Sequence, residues 1–191
     1  MKTKKFILTI LFGSLILFIW NVFSWMVLPF HANSITNMPE TALEYKNLQD
    51  SLPGDGVYHY PGYPTNYSDE AASVIENKLK TGPRITMMIY KEGTTELFDP
   101  MLYVWGFLIN MATVLLLYFI LSGFSVYTFK TMMLACLFIG LTIALVSDIS
   151  LANWFMFPWD YTLANIVDRI VPFLFLGLLF GGYTFKRIEN G

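Results

Sequence analysis

The chain has 191 residues, of which 55% are hydrophobic and only 14% are charged. An average soluble domain has about 25% charged residues, so this composition excludes an ordinary soluble protein and indicates an integral membrane protein. The formal net charge of -2 argues against nucleic acid as a partner. The single cysteine, Cys136, excludes an internal disulfide and an all-cysteine metal site.

Four apolar runs are long enough to cross a hydrocarbon core of roughly 30 Å, which needs about 20 helical residues. They cover residues 6–30, 101–124, 131–149 and 161–185. The predicted fold class is an all-α membrane protein, a four-transmembrane-helix bundle with a small α+β extracytoplasmic cap between helices 1 and 2. The predicted domains are an N-terminal signal-anchor helix at 1–30, the extracytoplasmic cap at 31–99 and a three-helix membrane region at 100–191.

The first apolar run has features of a signal peptide. It follows Lys2, Lys4 and Lys5, and a small-x-small cleavage pattern is present at Ala32 and Ser34. The apolar region of a signal peptide has about 7–15 residues, whereas this run has about 25. The sequence therefore favours a retained signal anchor over a cleaved signal peptide.

Positively charged residues beside the spans predict the orientation, because positive charge resists translocation. When the four helices are threaded alternately, these residues fall on one side: Lys2, Lys4, Lys5, Lys130, Lys186 and Arg187. We therefore predict that both termini are cytoplasmic and that the cap and the turn at 150–160 lie outside. The aromatic residues of that turn, from Trp154 to Trp159, are predicted to lie among the outer headgroups.

The predicted cap contains helix, strand, helix and strand in that order. The helices are predicted from an entry at 37–40 through 41–52 and from Ser68 to Lys80, and the strands at 57–60 and 84–90. We expect the two strands to pair. A unit of about 70 residues without disulfides is difficult to stabilise alone. We therefore expect the cap to rest on the outer ends of the helices.

Four short motifs follow one another along the chain. They are the segment 24–31, Gly56-Val57-Tyr58 before a Pro-Gly pair, Gly82-Pro83 before an apolar strand ending in Tyr90, and 159–162 leading to Asp168. In this order they resemble an uncharacterised bacterial inner-membrane family with one N-terminal span, an outer cap segment and three C-terminal spans. The resemblance implies this topology and a bacterial inner membrane. It implies no activity, because the family has no assigned reaction.

Charged and strongly polar residues inside spans are costly, which makes them candidates for pairing or function. Asp168 and Arg169 lie in the fourth run, roughly 12–14 Å below its outer end at 1.5 Å per residue. By the same count, Asn21 and Asn110 are predicted to lie at about this depth. Adjacent residues do not share a helix face, so Asp168 and Arg169 are predicted to face different neighbours. Arg169 is predicted to have an acidic partner, either Asp148 or, reached through a neighbouring turn, Asp168.

Two interpretations of this polar cluster remain open. Its hydrogen bonds fix the packing of the helices, or it forms a site under His31 for a lipid headgroup, a quinone, a proton or another small solute. The candidate ligand or polar-cluster residues are Asn21, Asn110, Asp148, Asp168, Arg169 and His31. A proton path through the membrane is not favoured, because the inner half of each span is almost purely apolar.

The remaining motifs are weaker indications of a binding or catalytic site. His31 and His59 without a defined carboxylate spacing are a weak signal for haem or metal, and no metal, cofactor or catalytic residue is predicted. Gly177 and Gly181 form a small-xxx-small packing motif, which serves either this bundle or a partner helix.

The predicted function is that of a non-catalytic integral membrane subunit or accessory protein, which packs in a larger membrane complex and presents the outer cap. Enzyme activity is not favoured, because no complete reactive constellation is present. The alternative is a small-ligand site for a lipid, quinone or solute, or an enzymatic site, between cap and bundle around Asp168 and Arg169. The predicted partners are the lipid bilayer and a membrane protein or a second copy of the chain.

Overall fold

The computed structural model describes residues 2–38, 43–63, 68–93, 96, 98–124 and 127–185. It divides into a helical unit, Met1–Thr36 with Leu97–Gly191, and a connecting unit, Asn37–Glu96. Four helices of the helical unit are long and apolar enough to cross a membrane, which indicates a multi-pass membrane protein.

Eight helices and two strands follow one another among the described residues. In chain order they are α1 (Lys2–Met26), α2 (Pro29–Ser34), α3 (Leu43–Ser51), β1 (Gly56–Tyr60), α4 (Asp69–Thr81), β2 (Ile85–Tyr90), α5 (Pro100–Ser122), α6 (Phe129–Ala144), α7 (Ser150–Phe155) and α8 (Trp159–Leu179). Two π-helical turns extend this pattern, one between α6 and α7 (Leu145–Ile149) and one after α8 (Phe180–Thr184).

The first span ends before the predicted boundary at residue 30. The membrane-length segment is Thr3–Met26, and a separate short helix begins at Pro29. Proline has no backbone N–H with which to continue the preceding helix, but it suits the first position of a new one. The chain therefore changes direction after α1, and α2 packs against both α1 and α8.

The third span is longer than predicted. α6, the first π turn and α7 form one continuous segment, Phe129–Phe155, so the predicted end at residue 149 is wrong. The segment ends where Met156 adopts a left-handed conformation with φ 58°, two residues before Pro158. The connection to α8 is correspondingly short, and Trp154 and Trp159 beside it are both exposed.

The four long segments pack in antiparallel pairs, with α1 and α8 as the central pair. α1 also contacts α5, and α8 also contacts α6. The central pair is joined near one end by Ser24 with Asp168 and near the other by Thr9 with Thr184, whose hydroxyl oxygens are 2.9 Å apart. The core between the segments consists of Ile10, Leu17, Val114, Leu117, Leu121, Met132, Cys136, Phe173, Leu176 and Phe180.

The connecting unit contains the predicted strand pair, and the pairing is antiparallel. Val57 lies opposite Ile89 in the register. α4 starts as predicted, because the Ser68 hydroxyl accepts a hydrogen bond from the backbone N–H of Ala71 at 3.2 Å and so caps the helix. α3 lies within the predicted helix at 41–52, but the proposed helix entry at 37–40 falls partly outside the described residues.

An acidic side chain fastens the ends of the two strands. Asp55, just before β1, forms an ion pair with Lys91 and accepts a hydrogen bond from the backbone N–H of Glu92 at 2.6 Å. These interactions, first the hydrogen bond from Lys91 and then the one from Glu92, lower the pKa of Asp55 below its ordinary value. The ionised carboxylate therefore stabilises the strand pair.

The connecting unit buries little of its apolar surface. Among the residues of this unit whose exposure the structure describes, only Pro61 is buried. Val57 and Ile89, which face each other across the two strands, are 66% and 77% exposed. The sheet therefore presents apolar side chains on its surface. The expectation that this unit rests on the helix ends stays a prediction.

Candidate functional site

Asp168 of α8 accepts hydrogen bonds from three side chains near the start of the chain. The Ser24 hydroxyl donates to Oδ1 at 2.5 Å, and the Trp20 indole N–H donates to the same oxygen at 3.1 Å. His31 Nε2 lies 2.8 Å from Oδ2. We call Trp20, Ser24, His31 and Asp168 the Asp168 cluster. It links α1, α2 and α8.

The local sequence explains how these donors converge. Trp20 and Ser24 are four residues apart on α1 and therefore lie on the same helix face. The break before Pro29 starts α2, and α2 packs on α8 and carries His31 to the carboxylate. Asp168 lies well inside α8, which continues through Pro172. Because Pro172 has no N–H, it leaves the Asp168 carbonyl without its usual helical partner.

His31 is enclosed on several sides. Its residue exposure is 1%, and its ring stacks on the Trp25 indole with centroids 3.8 Å apart and planes 7° apart. A proton on Nε2 would be donated to the carboxylate oxygen Oδ2 of Asp168. The other ring nitrogen, Nδ1, is buried and has no hydrogen-bond partner among the described residues. The structure thus buries His31, one of the candidate polar-cluster residues, beside Asp168.

The geometry of the Asp168 cluster differs from that of a nucleophilic triad. In a triad the histidine lies between the nucleophile and the carboxylate and removes the proton of the nucleophile. Here Ser24 and His31 both bind Asp168 directly. The Asp168 carboxylate already has three hydrogen-bond partners, and in this arrangement it connects α8 to α1 and α2. Within the described ranges, no group of three or more histidine, cysteine or acidic residues is placed to hold a metal ion.

Arg169, the next residue, takes part in a different contact. Its Nε lies 3.2 Å from Oδ2 of Asp148, one of the two partners that the sequence predicts. The Asp148 side chain is 6% exposed and also accepts a hydrogen bond from Ser147, while the Arg169 side chain is 40% exposed. Asp148 lies in the first π turn. This second polar contact joins α8 to the α6–α7 segment.

The structure does not bring the two candidate asparagines into the Asp168 cluster. Asn21 is exposed, because it lies one residue beyond Trp20 and about 100° away around α1. Asn110 is buried, and its Nδ2 has no hydrogen-bond partner among the described residues.

Contacts on both sides of Asn110 show its level along α1. Phe107 contacts Phe18, and a Cβ on Gly13 would meet Val114 at 2.6 Å. Asn110 therefore lies opposite residues 13–18, at least about 9 Å along the helix from Ser24 at 1.5 Å per residue. The predicted common depth does not hold for Asn110, because the α1–α5 alignment sets it deeper than Asp168 relative to the end of α1. Asn21, which follows Trp20, lies near the level of Asp168.

The glycines Gly177 and Gly181 face α6. A Cβ added to Gly177 would lie 3.2 Å from the Cα of Met133, and one added to Gly181 would lie 3.1 Å from the Cα of Phe129. Gly140 of α6 is as close in the other direction, since a Cβ there would lie 2.8 Å from the backbone oxygen of Arg169. In this structure the small-xxx-small motif of Gly177 and Gly181 packs α8 against α6 of the same chain.

The two other residues singled out in the sequence lie apart from these contacts. His59 is exposed on β1, and its ring lies 4.3 Å from that of Tyr63. Cys136 is buried in the core of the helical unit.

Sequence reasoning missed two members of the Asp168 cluster. Trp20 has the position of an interfacial anchor, and Ser24 is unremarkable by itself. Their spacing of four residues, followed by Pro29 and a histidine two residues later, is the signal that points to a shared acceptor.

Comparisons with protein-family models, with curated proteins and with solved structures find no match for this chain.

Proposed function

We propose that the protein is a non-catalytic integral membrane subunit or accessory protein, which packs in a larger membrane complex and presents its connecting unit to a partner. The observation that carries this proposal is the exposed apolar pair Val57 and Ile89. Apolar area exposed to water costs about 25 cal/mol per Å², and docking against a partner recovers that cost. A sheet surface of this kind suits binding to another protein.

The polar contacts of the helical unit support the same proposal. Asp168 is engaged by three donors and Asp148 by two, and each set links separate segments of the chain. Such contacts give a membrane bundle its specificity, because apolar contact between helices competes with equally apolar lipid.

The test is purification of the tagged full-length protein from its native membrane in a mild detergent. We expect a second polypeptide in fixed stoichiometry, which is lost from the double variant Val57→Asn/Ile89→Asn. Val74→Asn is the matched control, since Val74 is an exposed apolar residue on α4 of the same unit. A wild-type protein that purifies alone, or a control variant that loses the partner equally, contradicts the proposal.

The orientation is part of this proposal. The lysine and arginine asymmetry supports cytoplasmic termini and an outer connecting unit. A bacterial inner membrane is proposed from the family resemblance of the four sequence motifs alone. A reporter active only in the cytoplasm should be active when fused after Gly191 and silent when inserted at Asn66. The reverse pattern would place the connecting unit on the cytoplasmic side.

Retention of the first helix is supported by its contacts. Cleavage near Ser34 would remove Trp20, Ser24 and His31, and Asp168 would lose three hydrogen-bond donors. The signal-anchor interpretation therefore agrees with the packing of α1 between α5 and α8. An intact mass that includes residues 1–34 is the expected result.

A second function, a small-ligand site around Asp168 and Arg169, is favoured by one observation. His31 Nδ1 is buried without a hydrogen-bond partner in the described part of the chain, and a ligand with a donor group would satisfy it. Mass spectrometry of an organic extract from the native purification distinguishes the two functions. A stoichiometric small molecule that is lost from His31→Leu, with no partner polypeptide, would favour the ligand site.

A further inference from the structure

A second feature of the helical unit, independent of the proposed function, is a groove between α1 and the end of α8. It has a volume of about 700 Å³. Ile16 and Phe23 of α1 line one wall, and Phe175 of α8 with Gly182 and Tyr183 of the second π turn line the other. The wall atoms are almost entirely apolar, which suits a hydrocarbon chain.

Gly182 keeps this groove open. A Cβ added to it would meet no atom within 4 Å, whereas the neighbouring Gly181 is pressed against α6. Gly182 is therefore not required for close approach of two helices. A larger side chain at this position would occupy the groove.

A positive charge lies at the Tyr183 end of the groove. The Lys5 ammonium group is 5.5 Å from the centroid of the Tyr183 ring. Across the described residues, Lys5 has no acidic side chain within ion-pair distance. A lysine in the first turn of a membrane-length helix extends toward the membrane surface, where lipid phosphates lie.

Among the described residues that line the other end of the groove, no polar side-chain group is free. Trp20 lines it there, but its indole N–H already donates to Asp168. The groove therefore combines an apolar channel with a cation at one end only. This arrangement matches the distribution of charge in a lipid whose headgroup is anionic.

We propose that the groove binds one anionic phospholipid of the leaflet that contains Lys5. The phosphate contacts the Lys5 ammonium group and the Tyr183 hydroxyl, and an acyl chain lies along the groove past Gly182 toward Phe23. A zwitterionic lipid of the same chain length binds less well, because its own ammonium group opposes Lys5.

The test is native mass spectrometry of the detergent-solubilised full-length protein, titrated with phosphatidylglycerol or with phosphatidylcholine of identical acyl chains. We expect the wild type to retain phosphatidylglycerol about fivefold better, which corresponds to the contribution of about one lysine near an anionic surface. Lys5→Gln should remove this preference. Lys4→Gln is the matched control, since Lys4 is the exposed neighbouring lysine.

Variants of the groove itself test the position of the acyl chain. Gly182→Leu should reduce phosphatidylglycerol retention to the background level, with Gly182→Ala having a smaller effect and serving as the second variant if Gly182→Leu fails to fold. Gly106→Leu is the control, because a Cβ at Gly106 of α5 likewise meets nothing within 4 Å. Thermal unfolding of each variant verifies the fold.

Four outcomes would overturn the proposal. The first two are equal retention of the two lipids by the wild type and an equal loss of phosphatidylglycerol retention from Lys4→Gln and Lys5→Gln. The third is full phosphatidylglycerol retention by folded Gly182 variants. The fourth is that Gly182→Leu displaces a different occupant from the groove, either an isoprenoid or a second copy of the chain. Loss of the partner polypeptide leaves these measurements unaffected, so failure of this proposal and failure of the proposed function are distinguishable.

Discussion

The helical unit and the connecting unit distribute polar and apolar side chains in opposite ways. In the helical unit Asp168, His31 and Asp148 are buried and hydrogen-bonded, while large apolar side chains cover much of the surface. In the connecting unit the apolar pair Val57 and Ile89 is exposed, and so is the side chain of Asp55, whose pKa is lowered. In lipid, polar contacts specify which helices meet. For the connecting unit, we propose that the exposed apolar pair is where another protein binds.

The largest effect that tests this comparison is expected at Asp168. Asp168→Leu leaves the donors on Trp20, Ser24 and His31 without their acceptor, which we expect to destabilise the helical unit by about 2–4 kcal/mol. Asp160→Leu, at the exposed start of the same helix, is the control. The measurement is unfolding of the detergent-solubilised variants. Equal stability of the two variants would show that the Asp168 cluster does not hold the helices together.

The second prediction concerns the contact between α6 and α8. In Gly140→Ala the new Cβ would lie 2.8 Å from the backbone oxygen of Arg169, which cannot move without separating the two helices. We expect a loss of about 1–3 kcal/mol. Gly106→Ala, where the space is open, should be neutral or slightly stabilising. If Gly140→Ala unfolds at the same temperature as the wild type, the close approach of these helices is not required.

The third prediction concerns the pair of Arg169 and Asp148. Arg169→Leu leaves a carboxylate that is 6% exposed without its cation, and we expect a loss of about 1 kcal/mol. The double variant Asp148→Asn/Arg169→Leu should lose less, because no uncompensated charge remains. A double-mutant cycle measured by thermal unfolding gives the coupling. If the Arg169→Leu variant is as stable as the wild type or more stable, Arg169 interacts mainly with lipid phosphates or water and not with Asp148.

The smallest effect is expected in the connecting unit, at Asp55. Because its pKa is lowered in the folded protein, its contribution is present above the ordinary value of 3.8 and is lost as the pH falls through the folded pKa. At pH 7, amide exchange in β1 and β2 should be slower in the wild type than in Asp55→Asn.

The difference between these two proteins should disappear at an acid pH below the folded pKa of Asp55, where this carboxylate is protonated. Asp50→Asn on α3, where the carboxylate is also exposed, should exchange like the wild type at both pH values. If the protection conferred by Asp55 is the same at both pH values, its charge is not what fastens the strands.

Much of the fold follows from local signals in the sequence. Apolar length predicts the four membrane-length segments, and the Ser68 cap and the two short strands follow from residue types with strong local preferences. The first span is predicted too long because a hydropathy pattern continues through Pro29, although the helix does not. The third span is predicted too short because residues from 150 onward are assigned to a turn, although α7 continues the segment to Phe155.

The candidate site was harder to predict, because it depends on tertiary alignment. Depth counted from each helix end placed Asn110 beside Asp168, but the pairing of α1 with α5 sets it at another level. The donors to Asp168 lie near the other end of the sequence, Trp20 on one face of α1 and His31 on α2 after the chain changes direction. The partner of Arg169 was predictable, because only a few acidic residues lie near the same end of a neighbouring span.

The position of Asp168 in the chain has a consequence for biogenesis. Its donors Trp20, Ser24 and His31 precede it by 148, 144 and 137 residues, so they are synthesised long before their acceptor. Until α8 enters the membrane, α1 and α2 carry polar groups that no native acceptor satisfies. The helical unit therefore matures in one late step, and a chain truncated before Asp168 should present to membrane proteases the unpaired polar groups that mark an unfinished protein.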